Sequence, residues 1–247
     1  MLSILISLVA AVVSTALLKL AFVRSRWELI FPFLVVLVGV MALLFRRTAT
    51  MLEPLIKGAE KHLMAGRREQ AMKALRDGLG LGRWNPLVPP QLRVQIGTLE
   101  YALGHIDEAE VELKRAWRWP WQSRAYLGCV YFKKRDGAKM EKAFETAVAV
   151  GKKEGLAWAT YAWCLVAQGK RAEAVKVLER GLKEIPNDHR LESNLELARK
   201  PSEKLKMAPY GDTWAAFALE TAGPVLPKAA RGFAVRPGFR QRPMRRK

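Results

Sequence analysis

The stretch that decides the fold is residues 155–188, which read GLAWATYAWCLVAQGKRAEAVKVLERGLKEIPND. Apolar residues recur at helical spacing on both sides of Gly169, and a glycine at such a point is typical of a helix end. Pro186 ends the second helical pattern, because proline cannot continue a helix. The small residues Ala162 and Ala174 lie within the two predicted helices and allow them to approach closely. The segment therefore predicts a tightly packed helix–turn–helix unit.

The same arrangement recurs upstream. A small residue equivalent to Ala162 occurs at Gly128, which lies 34 residues earlier. Further equivalents occur at Gly97 and Ala59, at intervals of 31 and 38 residues. Because four units share one register, the sequence predicts an array of helical repeats over residues 51–200.

The repeat spacing changes at two junctions, where we expect local irregularity. About four extra residues fall within Leu81–Pro90, and three are missing near Trp117–Trp121. The second junction holds three tryptophans and Arg118, which either form a stacking surface for a partner or pack across an irregular turn. Residues His189–Arg199 predict a closing helix that covers the apolar face of the last repeat.

Residues Trp158, Tyr161, Ala162, Ala174 and Gly181 form a pattern that resembles the tetratricopeptide repeat (TPR) family. The resemblance implies an all-α fold, in which about four helix pairs and a capping helix form an α-solenoid. It also implies a protein or peptide partner, bound in a groove that the first helix of each pair lines. Carried over residue by residue, the groove positions fall on Thr98, Tyr101, Gln122, Cys129, Phe132, Lys133, Leu156 and Trp163. We therefore expect an apolar and aromatic groove.

Residues 1–47 predict a transmembrane hairpin. Leu2–Val23 and Leu29–Phe45 are two apolar runs, joined only by Arg24–Glu28. As helices they would be about 33 and 26 Å long, against a bilayer core of about 30 Å. A cleaved signal peptide is the alternative, but no basic segment precedes the first run and a second run follows at once. The basic residues near the span ends weakly favour a cytoplasmic repeat domain.

Composition excludes several classes of protein. The chain has 247 residues, with 42 Lys and Arg against 23 Asp and Glu, and half of its residues are hydrophobic. Two cysteines exclude a disulfide scaffold and a four-cysteine zinc site. The three histidines are scattered, and the sequence contains no metalloprotease, redox or serine-hydrolase motif. We therefore expect neither an enzyme nor a cofactor or metal site.

The C-terminal region 201–247 is predicted to contain one short helix and a basic, disordered tail. The helix would run from Asp212 to Thr221, with Trp214 and Phe217 placed to dock it on the protein. The tail could bind anionic lipid or, as an alternative, nucleic acid. Its basic residues are Lys228, Arg231, Arg236, Arg240, Arg242, Arg245, Arg246 and Lys247.

Taken together, these features predict an integral membrane protein that acts as a scaffold. Its repeat domain would bind a partner protein at the cytoplasmic face of the membrane, which would be the inner membrane in a bacterium. Two alternatives stay open: a membrane tether that binds nucleic acid or anionic lipid through the tail, and a structural subunit of an envelope or secretion assembly.

Overall fold

The computed structural model describes residues 5–13 and 30–220, and this part of the chain is all-helical, without a strand. The predicted all-α class is therefore confirmed. Two short 3₁₀ helices, Gly78–Arg83 and Ala208–Tyr210, accompany the α-helices. The α-helices are α1 (5–13), α2 (Ile30–Met64), α3 (Arg68–Asp77), α4 (Val88–Leu103), α5 (Ile106–Arg115), α6 (Trp121–Lys133), α7 (Gly137–Val150), α8 (Gly155–Ala167), α9 (Arg171–Glu184), α10 (His189–Arg199) and α11 (Gly211–Ala215).

The helices pair as a repeat array. Successive pairs are α2–α3, α4–α5, α6–α7 and α8–α9, and α10 packs against α8 and α9. Each turn within a pair contains one residue in the left-handed conformation, which reverses the chain after the first helix. These residues and their φ angles are Gly66 (73°), Gly104 (89°), Arg135 (58°) and Gly169 (80°).

The small residues of the repeat pattern lie where two helices touch. A Cβ atom placed on Gly128 would lie 2.6 Å from the Phe144 ring of the paired helix, and one on Gly97 would lie 2.7 Å from Leu113. At Gly181 the neighbour is Trp158, at 2.9 Å. The close approach that the sequence predicted therefore depends on the missing side chains at these positions.

The two junctions with altered spacing are irregular in the structure. The extra residues form the 3₁₀ helix Gly78–Arg83 and the turn that leads into α4. At the shortened junction the chain is extended at Ala116, and the Trp117 N–H donates to the Pro90 carbonyl at 2.9 Å. That hydrogen bond brings the two junctions side by side.

The closing helix α10 has the predicted bounds. The carboxylate of Asp188 caps its N-terminus by accepting hydrogen bonds from the N–H groups of Arg190 and Leu191. Leu191 and Ala198 are buried against the last pair. The cap thus protects apolar surface that a further repeat would otherwise cover.

The second predicted span and the first repeat share one helix. Among the described residues, α2 is the one helix long and apolar enough to cross a membrane, over Phe33–Met64. The predicted span ended at Phe45, but the helix continues to Met64 and includes Pro54 and Gly58. Most of the first predicted span, Leu2–Val23, lies outside the described residues, and so does the linker Arg24–Glu28.

Candidate partner-binding groove

Helices α4, α6 and α8 present an aromatic face to one side of the array. Tyr101 and Tyr126 pack edge to face, with ring centroids 5.5 Å apart. Phe132 and Trp163 make a similar contact at 5.7 Å. Such a face has the chemistry that the sequence predicted for the groove, since aromatic rings are good anchors for apolar side chains.

The chain itself covers this face. Residues 205–219, here called the return segment, follow the closing helix and pack back onto the array. The Trp214 ring lies 5.4 Å from that of Trp163, and the Phe217 ring lies 4.8 Å from that of Tyr126. Trp214 and Phe217 are both buried, as their predicted docking requires. The predicted helix Asp212–Thr221 is too long, because α11 spans only Gly211–Ala215 and Ala218 has a positive φ of 48°. A segment of the same chain therefore occupies part of the aromatic face.

Hydrogen bonds fix the backbone of the return segment. The Tyr101 hydroxyl donates to the Phe217 carbonyl at 2.5 Å, and the Tyr126 hydroxyl donates to the Ala216 carbonyl at 3.4 Å. Near its start, the Asn194 side chain both accepts from the Lys206 N–H at 2.7 Å and donates to the Lys206 carbonyl at 3.2 Å. These bonds satisfy backbone groups that packing has removed from water.

Burial raises the pKa of the Tyr101 hydroxyl well above its ordinary value. The neutral hydroxyl therefore persists at neutral and moderately alkaline pH and keeps its proton for the Phe217 carbonyl. The contact is thus independent of pH over the physiological range.

The structure divides the predicted groove residues into two groups. Tyr101, Phe132 and Trp163 lie on the aromatic face, and the Lys133 ammonium lies 4.5 Å from the centroid of the Tyr101 ring. Gln122 is exposed at the start of α6.

Thr98, Cys129 and Leu156 are buried in the interior, so their assignment to an open groove needs correction. The Thr98 hydroxyl donates to the Val94 carbonyl of its own helix at 2.9 Å. Tyr101 is as deeply buried as these three residues, but its hydroxyl contacts the return segment.

The two thiols are structural. Cys129 and Cys164 are fully buried, and burial raises the pKa of each thiol above its ordinary value. A thiolate is therefore scarce at neutral pH, and neither sulfur has the exposure that a nucleophile or redox sensor requires.

Tyr126 and the return segment are the parts of the site that sequence reasoning missed. The spacing of Trp214 and Phe217 predicted a docked helix. It did not indicate the surface on which that helix would dock. Tyr126 lies outside the family's groove positions, so the repeat pattern gave no reason to select it. The predicted basic tail, from Lys228 to Lys247, lies outside the described residues.

Residues 155–199 match a family model described as Tetratricopeptide repeat. The match covers α8, α9 and the closing helix, which include the stretch that decides the fold. No curated protein matches the chain. The TPR likeness indicates a module that binds proteins, and such modules are generally non-catalytic.

Proposed function

We propose that the protein is a membrane-anchored TPR scaffold that binds a partner protein on the cytoplasmic side. The observation that carries the proposal is the change in the exposure of apolar side chains along α2. Leu43 in its first half is 68% exposed, whereas Leu52 in its second half is 9% exposed and belongs to the core of the first repeat. One helix thus combines an unpartnered apolar surface with a folded repeat.

The exposed half of α2 supports a membrane anchor. Leu34, Val35 and Val38 are exposed, and Arg46 and Arg47 follow the apolar run. Exposed apolar side chains of this number are unfavourable in water and stable in hydrocarbon. Arginines at the end of a span are typical of the membrane interface.

The aromatic face supports partner binding, although a segment of the same chain competes for it. Trp163 and Phe132 remain the proposed anchor residues, but Trp214 of the return segment packs against the Trp163 ring. A partner segment that packs on this side of Trp163 must therefore compete with Trp214. Binding at this face is in competition with an intramolecular contact, which lowers the apparent affinity of the partner.

The anchor is tested by extraction and flotation. Membranes that contain the full chain should retain it after alkaline carbonate treatment, because a spanning helix is not removed by high pH. A Val38→Lys, Leu43→Lys double variant should be extracted more readily, since each charge opposes insertion by about 2.5–3.5 kcal/mol at the helix centre and the predicted first span alone would then hold the chain. Release of the unsubstituted chain would contradict the anchor.

Partner binding is tested by crosslinking in intact membranes, followed by mass spectrometry. Three chains are compared: the unsubstituted protein, Trp214→Ala, and Phe132→Ala with Trp163→Ala. A groove partner should be recovered more with Trp214→Ala, because the competing segment is weakened, and less with the double variant. Equal recovery from all three would show that the partner binds elsewhere.

A further inference from the structure

One edge of the array carries exposed aromatic and basic side chains. The edge is formed by two junctions between repeats, Arg83–Leu87 and Trp117–Trp119, which we call the junction edge. Trp119 is 69% exposed, Trp84 is 48% exposed and Leu87 is 42% exposed. The hydrogen bond between Trp117 and Pro90 holds the two junctions together. The edge is therefore one patch made of two neighbouring loops.

The junction edge lies at the end of the array from which α2 runs toward the predicted bilayer. A Cβ atom placed on Gly78, where the chain leaves α3 toward the first junction, would lie 2.6 Å from the Leu55 side chain of α2, so the junction begins level with Leu55. Along a helix, Leu55 is about 14 Å beyond Arg46, where the apolar run ends. The headgroup layer of a bilayer extends roughly 5–8 Å beyond the hydrocarbon. The first junction thus begins just above the headgroup layer.

The charges of this edge fit an anionic surface. Arg115 and Arg118 are exposed, and neither forms an ion pair within the described ranges 5–13 and 30–220. Arg124 donates to the Ala116 carbonyl at 3.0 Å, and its pKa is lowered by burial and by the nearby Arg118 guanidinium. An anion placed beside these guanidinium groups would relieve their mutual repulsion.

The opposite edge of the array has no exposed tryptophan among the described residues, and two of its lysines are paired. It is formed by the turns within the pairs, where Lys134 is held by Asp107 and Glu110 and Lys170 is held by Glu141. These two lysines are neutralised by carboxylates of the same chain, whereas the exposed Arg67 and Arg135 of this edge form no ion pair within the described residues. The exposed tryptophans belong to the junction edge alone among the described residues.

We infer that the junction edge rests on the anionic phospholipid headgroups of the bilayer that α2 enters. Tryptophan rings suit this position, because their apolar body and N–H group match the boundary between hydrocarbon and headgroups. Each arginine near an anionic leaflet is attracted to it. The inference rests on the membrane anchor proposed above, and it implies that the array is held against the membrane through two attachments.

Lipid contact is measured by fluorescence quenching with the full chain in vesicles of phosphatidylcholine and phosphatidylglycerol. An environment-sensitive fluorophore is attached at Leu87→Cys on the junction edge, or at the exposed Arg67→Cys on the opposite edge as the matched control. The native Cys129 and Cys164 are buried, so the unsubstituted protein serves as the labelling blank. Phospholipid with a spin label in its headgroup should quench the Leu87→Cys probe severalfold more than the Arg67→Cys probe.

The charge contribution is measured with Arg115→Glu and Arg118→Glu added to the Leu87→Cys chain. Quenching should fall in vesicles that contain phosphatidylglycerol and change little in phosphatidylcholine alone. Flotation of the same samples separates the two proposals. A chain that does not float with the vesicles contradicts the anchor, whereas a chain that floats with equal quenching at both probe positions contradicts lipid contact by the junction edge.

Discussion

Two groups of tryptophans in this molecule have opposite environments. Trp163 and Trp214 are packed against each other at the aromatic face, within a continuous hydrophobic core. Trp84 and Trp119 lie at the junction edge with their rings largely open to solvent. The difference arises because residues 205–219 fold back over the first group, and no segment of the described chain folds over the second.

The comparison shows that tryptophans of the aromatic face and tryptophans of the junction edge contribute differently to the stability of the fold. Removing a ring from the aromatic face leaves a cavity, because its neighbours belong to three helices and to the return segment. Removing a ring from the junction edge takes away exposed surface and little packing. Stability measurements should therefore separate the two groups, and lipid contact should separate them in the reverse order.

The largest expected effect is the loss of Trp214. Trp214→Ala should lower the free energy of unfolding by about 3–5 kcal/mol, because a large buried ring is lost and a cavity remains. The measurement is urea unfolding of the full chain in detergent micelles, followed by far-ultraviolet circular dichroism. This signal avoids the change in tryptophan fluorescence that the substitution itself causes.

Trp119→Ala is the matched control for Trp214→Ala. It removes the same side chain from the junction edge, so the free energy of unfolding should change by less than about 0.5 kcal/mol. If the two variants lost equal stability, the return segment would not be packed against the array in solution.

The second expected effect concerns the close approach of helices beneath the aromatic face. Gly128→Ala places a Cβ atom at 2.6 Å from the Phe144 ring, so the ring or the helix must move. We expect a loss of about 1–3 kcal/mol in the free energy of unfolding, measured by the same urea titration.

Gly58→Ala in α2 provides the comparison for Gly128→Ala. A Cβ atom at Gly58 would meet nothing within 4 Å, and alanine favours a helix more than glycine does. This variant should be unchanged or slightly more stable. Loss of stability in both variants would indicate a general intolerance of alanine, and the argument from close approach would fail.

The third expected effect isolates one hydrogen bond of the return segment. Tyr101→Phe removes the donor at 2.5 Å from the Phe217 carbonyl, and that carbonyl is then buried without the partner. The cost should be about 1–2 kcal/mol in the free energy of unfolding. Tyr126→Phe should cost less, because its hydroxyl lies 3.4 Å from the Ala216 carbonyl, at the limit of hydrogen bonding. The reverse order of the two variants would contradict this assignment.

The repeat architecture could be predicted from the sequence because it depends on local signals. Gly169 and Pro186 mark helix ends through backbone restrictions, and Gly128 marks a contact where no side chain fits. The closing helix was predicted with its observed bounds for the same reason, since Asp188 is an N-cap residue and a proline follows Lys200.

The occupant of the aromatic face could not be predicted in this way. The contact between Trp163 and Trp214 joins residues far apart in sequence, and an i, i+3 pair of aromatics fits many apolar surfaces. The continuity of α2 was missed for a different reason. The predicted domain boundary after Arg47 followed the change in hydropathy, which does not itself end a helix, and α2 continues past that point and through Pro54.

The smallest expected effect tests the charge difference between the two edges. Lys114 and Lys134 donate hydrogen bonds to Glu110 and lower the pKa of its carboxyl from 4.5 to about 2. Because the pKa is lower in the folded protein, the ion pairs stabilise the fold above about pH 4.5, and this contribution is lost as the pH falls toward 2.

Glu110→Gln should remove that part of the acid dependence, by less than about 1 kcal/mol, since both lysines reach solvent. Glu108→Gln, which changes an exposed carboxylate on the same helix, should leave the pH profile of unfolding unaltered. Identical profiles for Glu110→Gln and the unsubstituted chain would mean that Glu110 does not pair with Lys114 and Lys134 in solution. The difference between these paired lysines and the unpaired arginines of the junction edge would then be lost.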